Sequence, residues 1–149
     1  MKCADPILSG SLLCCWWRYG VAVGEIAFDE ARARARHAAG AAVVLVRRDA
    51  ETDDIAALEA ATGLLTQRGA STSHAAVVAR QLSKVCLVGC TALRLDEAQR
   101  TLQLGDVVMH EGEEVTLEGN DGAIYRGAVR RVVEPLGDLC ARLARLRAP

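Results

Sequence analysis

Three histidines occur in the 149 residues, His37, His74 and His110, and one of them stands where a phosphoryl group could be carried. A carrier needs a side chain that is neutral at working pH, nucleophilic, and able to release what it has taken up. Imidazole meets these demands, because it titrates near about 6.5 when unperturbed and one ring nitrogen keeps a lone pair. His74 follows a polar turn, Gln67 to Ser71, that contains Gly69. Thr72 or Ser73 can cap a helix whose first turn carries the histidine. The free N–H groups and positive dipole end of such a terminus disfavour the imidazolium and attract an anion. Arg68 can offer two donors to phosphoryl oxygens, and Gly69 lets the backbone approach a ligand closely. Thr72 and Ser73 can hydrogen-bond the phosphoryl group or the ring. Spacing alone also allows a capped surface helix without chemistry. His37, in a helical stretch, and His110, beside Glu111 and Gly112 in an expected loop, read as solvated. Arg80 reads as support for its helix.

Holding that tip in place requires a strand before it and a helix after it. Leu64, Leu65 and Thr66 suit a short buried strand, and Ala75 to Leu82 suits a helix with Ala75, Val78, Ala79 and Leu82 on one stripe. A second apolar strand, Val85 to Val88, ends at Gly89. Upstream, Val21 to Phe28 has strand character, and Asp29 caps a helix over Glu30 to Ala39 that stops at Gly40. Ala42 to Val46 is an apolar run that fits a buried strand. Thr52 with Asp53 and Asp54 starts a helix through Ala60, in which Ile55, Leu58 and Ala61 face inward. This strand–helix alternation is an α/β pattern. After Gly89 the texture changes to short segments around Leu93, Leu95, Leu102 and Leu104, then Val107 to Met109, Glu114 to Leu117 and Ala123 to Arg126. These read as antiparallel hairpins, the last closed by the turn Gly119-Asn120-Asp121-Gly122. Pro135 opens a final helix with Leu136, Leu139, Leu143 and Leu146 on one stripe.

Residues 68–80, Arg-Gly-Ala-Ser-Thr-Ser-His-Ala-Ala-Val-Val-Ala-Arg, resemble the phosphohistidine signature of the phosphoenolpyruvate (PEP)-utilising enzymes. Within that family the similarity is greatest to the pyruvate, phosphate dikinases. PEP synthase and the first enzyme of the sugar phosphotransferase system are more distant. The resemblance runs from about Gly20 to Arg147. Ala70 stands where the family usually has a second glycine, and Ser71 where the dikinases usually have methionine. The resemblance implies a compact α/β domain of three layers, β/β/α, that swivels between remote active sites with a phosphoryl group on His74. It implies that Thr72 matches a regulatory phosphorylation site. It also implies partners: an ATP-grasp-like nucleotide-binding domain and a PEP/pyruvate-binding barrel, in trans or in a longer parent, with Mg2+ on those partners. On this reading residues 1–19 are an atypical start, 20–130 the phosphohistidine domain, and 131–149 a helix resembling the link to the barrel.

Composition narrows the alternatives. A length of 149 residues suits one domain with its own core, and 51% apolar with 3% aromatic residues means that Ala, Val and Leu must build it. Eighteen basic and nineteen acidic residues give a net charge of −1, which offers no electrostatic case for nucleic acid or an anionic membrane. Ile7 to Trp17 is too short to span a bilayer. The six cysteines (Cys3, Cys14, Cys15, Cys86, Cys90, Cys140) form no Cys-x-x-Cys pair and read as reduced thiols in a cytoplasmic protein. Neither a P-loop pattern nor a carboxylate cluster suited to magnesium accompanies His74, so the chain is expected to bind no cofactor and to be half an active site. Two rival readings are a truncated or decayed module that only binds partners, and a hydrolase pairing His74 with a cysteine, which lacks a placed orienting acid.

Overall fold

Val43, Val44, Leu45 and Val46 are all fully buried, so the strand they form must be covered on both faces. The computed structural model, which describes residues 20–49, 51–69, 74–119 and 122–129, shows what covers it. The elements in chain order are β1 (Val21–Ala27), α1 (Glu30–Ala38), β2 (Val43–Arg47), a 3-10 turn (Thr52–Asp54), α2 (Ile55–Ala60), β3 (Gly63–Thr66), α3 (His74–Gln81) and β4 (Val85–Leu87). There follow β5 (Leu93–Asp96), β6 (Thr101–Leu104), β7 (Val107–His110), β8 (Glu114–Glu118) and β9 (Ala123–Arg126). Six strands form one sheet in the order β4-β3-β2-β1-β8-β9, and β5-β6-β7 form a second. Strands β1 to β4 are mutually parallel, and β8 runs antiparallel to β1.

That strand order fixes where the helices lie. Each crossover from β1 to β4 steps in the same direction across the sheet, and right-handed crossovers then put α1, α2 and α3 on one face. The strand pleat divides the core accordingly. Val43, Leu45, Leu64, Cys86 and Val88 pack with Ala33, Ala57, Leu58, Ala61, Ala76 and Ala79 of the helices. Their neighbours Val44, Val46, Leu65, Val85 and Leu87 pack with Leu93, Leu102, Leu104 and Met109 of the second sheet. The result is a three-layer β/β/α domain, the architecture that the motif implied. Each fully buried leucine contributes about 1.5–3 kcal/mol, and the lack of aromatics is met by many such side chains.

Local signals hold at several element ends. Asp29 accepts the Arg32 backbone N–H at 2.7 Å and so caps α1. Four details differ from expectation. The segment at Thr52 begins as a 3-10 turn, because the Asp54 carboxylate accepts from the Glu51 backbone N–H and from Arg47 rather than capping α2. In α2, Ala57 is fully buried while Ile55 is only half-buried. The inward residues of α3 are Ala76 and Ala79, and Leu82 lies past the helix end with 36% exposure; alanines let this helix lie close on the sheet. His110 ends β7, paired opposite Thr101, and does not lie in a loop. The segments 1–19 and 131–149, with the leucine-striped helix expected in the latter, lie outside the described residues.

Candidate functional site

The carboxyl ends of β2, β3 and β4 form one rim of the large sheet, where ligands of parallel α/β sheets bind. Backbone bonds strap the exits of these strands together. Gln67 and Arg68 donate to the carbonyls of Arg47 and Arg48 at 3.1 and 2.8 Å, and Cys90 donates to the Thr66 carbonyl at 2.9 Å. The buried Thr66 hydroxyl donates to the Arg68 carbonyl at 2.6 Å and turns the chain out of the sheet. Gly69 follows at φ +109°, backbone that side-chain-bearing residues rarely adopt. Gly89, on the loop after β4, has φ +71°, and a Cβ there would lie 3.0 Å from the Gly69 carbonyl oxygen. The two glycines let the loops after β3 and β4 touch.

His74 is the first residue of α3 and is exposed. The helix is anchored behind it by buried Ala76 and Ala79, so the imidazole stands at the helix end nearest the rim, in the turn whose N–H groups lack helical acceptors. Thr72 and Ser73 lie outside the described residues. Arg80 donates to the Ala76 carbonyl at 3.3 Å within α3, as its structural reading expects. His37 and His110 are exposed and belong to the last turn of α1 and the end of β7. Cys86 and Cys90 are buried, are in no disulfide, and belong to the core clusters on opposite faces of the sheet; burial pushes the Cys90 thiol up.

Arg68 lies in company that the sequence reading missed. With Arg48, Gln67, Thr91, Arg94 and Leu95 it lines an open cleft of about 370 Å³ along the same rim. His74 is not among these lining residues. Arg32, Arg34, Arg36, Arg47, Arg100 and Arg126 each pair with a carboxylate, whereas Arg48, Arg68 and Arg94 have no carboxylate partner among the described residues. Arg48 was within reach of sequence reasoning, since it follows one apolar strand as Arg68 follows the next. Arg94 was not, because only the packing of the second sheet brings β5 to this rim.

Residues 40–122, more than half of the chain, match the PEP-utilising enzyme, mobile domain family. The chain belongs to that family. It is 44% identical over 108 residues to pyruvate, phosphate dikinase 1, chloroplastic, of Arabidopsis thaliana. It is 41% identical over 110 residues to pyruvate, phosphate dikinase of Clostridium symbiosum. These matches take in 72% and 74% of this chain but only 11% and 13% of those proteins, so the chain spans roughly a tenth of their length. A solution structure of Enzyme I is 25% identical over 72% of this chain and 38% of its own, with a TM-score of 0.39. Among the described residues no helix is long and apolar enough to cross a membrane.

Proposed function

We propose that this chain is the phosphocarrier domain of a pyruvate, phosphate dikinase-like phosphotransferase, accepting and donating a phosphoryl group on His74. The observation that carries the reading is the exposed imidazole on the first residue of α3, at the rim where three parallel strands end. A neutral ring nitrogen attacks phosphorus with its lone pair, an N–P bond forms, and the P–O bond to the donor breaks with its electrons leaving on the donor oxygen. With PEP as donor, the leaving group is the enolate of pyruvate, which takes a proton at its methylene carbon and becomes pyruvate. The positive end of the α3 dipole stabilises the negative charge of the phosphorylated ring. Transfer to an acceptor reverses these steps at a second site.

The rest of the machinery belongs to partners: an ATP-grasp-like nucleotide-binding domain, a PEP-binding barrel, and the magnesium that positions phosphates on them, in the cytoplasm. Among the described residues no three His, Cys, Asp or Glu side chains are grouped to hold a metal, and phosphoryl transfer needs cations that neutralise developing charge. Incubation of the chain with PEP and magnesium alone is expected to release no pyruvate. Adding the separate barrel domain of a related dikinase is expected to phosphorylate the chain stoichiometrically. Pyruvate release without the barrel would reveal a donor site on this chain. Failure of every barrel tested would favour a module that only binds partners.

A further inference from the structure

We propose that the cleft formed by Arg48, Gln67, Arg68, Thr91, Arg94 and Leu95 binds the linked phosphates of a diphosphate or triphosphate group, at a site separate from the His74 ring. Charge carries the first part of the argument. Six other arginines of the described domain are satisfied by carboxylates, yet three line one 370 Å³ cleft without a carboxylate among its described lining residues. Like charges held together repel, and the guanidinium fork fits phosphate oxygens bidentately. A single phosphate monoester carries roughly −1.5 to −2 at neutral pH, short of three guanidiniums. Two or three linked phosphates match them.

Architecture carries the second part. Arg48 follows β2, Gln67 and Arg68 follow β3, Thr91 lies beyond β4 and Arg94 lies on β5. Four segments of both sheets therefore converge on the carboxyl rim, where ligands of parallel sheets collect. The Gln67 amide and Thr91 hydroxyl add neutral donors, and the Arg68 N–H bond to the Arg48 carbonyl joins the backbones that carry two of the three cations. For its role the site rests on the carrier reading: it would grip the phosphates that are not being transferred while His74 meets a polyphosphate donor. Its existence does not depend on that reading.

The test is equilibrium binding to the full chain at low salt, roughly 20 mM, where screening is weak, using pyrophosphate, ATP, orthophosphate and polyglutamate as separate probes. Saturable binding of pyrophosphate is expected, about tenfold tighter than orthophosphate, and weakening as salt rises. Arg48→Gln and Arg94→Gln should each weaken it by about tenfold, with unchanged circular dichroism, whereas His74→Ala should leave it intact even though it abolishes phosphorylation. ATP binding as tightly as pyrophosphate assigns the site to a nucleotide's phosphate chain; much weaker ATP binding assigns it to free diphosphate. The proposal is overturned if no phosphate compound saturates, if orthophosphate or polyglutamate binds as tightly as pyrophosphate, or if the folded Arg48→Gln/Arg94→Gln double variant binds like the parent.

Discussion

Two clefts on this domain are both walled by arginine, and they differ in whether the counter-charge is built in. At the start of α1, Arg32 and Arg100 face Asp29 and Glu111 across an opening of about 580 Å³, with Arg100 only 2.6 Å from Asp29 and 3.0 Å from Glu111. At the β2–β3–β4 rim, Arg48, Arg68 and Arg94 have no such partners among the described residues. The first cleft is closed electrostatically and ties α1 to the hairpin layer; the second has positive charge that no described carboxylate meets. Consecutive residues show the switch. Arg47 turns to the buried Asp54 carboxylate at 3.3 Å and to the Phe28 carbonyl at 2.9 Å, while Arg48 faces the open rim. Arginine content alone therefore says nothing about anion binding; the distribution of carboxylates does.

The contrast predicts that arginines from the two regions fail differently. Arg68→Ala is expected to slow phosphorylation of His74 by about ten- to a hundredfold, since a hydrogen bond to a charged group is worth roughly 1.5–3 kcal/mol, with the urea midpoint unmoved. Rates equal to the parent in stopped-flow transfer assays would reduce Arg68 to a surface residue. Arg47→Ala should do the reverse. It strands the buried Asp54 carboxylate and should cost about 1–3 kcal/mol of stability by urea unfolding, with transfer in the folded fraction preserved. A stable variant with slow transfer would erase the distinction between neighbours.

Acid should loosen the carboxylate-rich side more gently. The Arg36 guanidinium, bonded to Glu25 at 2.7 and 2.8 Å, holds that carboxyl below its ordinary 4.5. Burial alone would raise Asp29, but the Arg32 N–H and Arg100 outweigh it and the group lies below 3.8. The His110 backbone N–H and Arg126 likewise hold Glu113 low. Depressed folded-state values mean that this stability is complete above the unfolded values near 4 and is lost as pH falls through the lower folded ones. The urea midpoint should fall below about pH 5, and Glu25→Gln should flatten the decline. A midpoint constant from pH 6 to pH 3 would show that these pairs add nothing measurable.

How far sequence could see follows from which features are local. The strand–helix alternation from Val21 to Val88, the Asp29 cap and the hairpin strands were legible because periodicity and capping act within a few residues. The place of β8 beside β1, which gives the large sheet its antiparallel end, was not, since Val21 and Glu118 meet across the length of the domain. The same limit hid the inward face of α3, set by contact with the sheet, and the cleft, whose Arg94 arrives from the second layer. Gly69 was legible as a turn; its contact with Gly89 was not.

If His74 carries the phosphoryl group, the position of the label shows it. The chain would be charged by a dikinase barrel with PEP, then digested and mapped by mass spectrometry under alkaline conditions that preserve an N–P bond. One phosphorylated residue is expected, His74, with a label that is acid-labile and absent from His74→Ala. Label on His37 or His110, or label that survives in the His74→Ala protein, would contradict it.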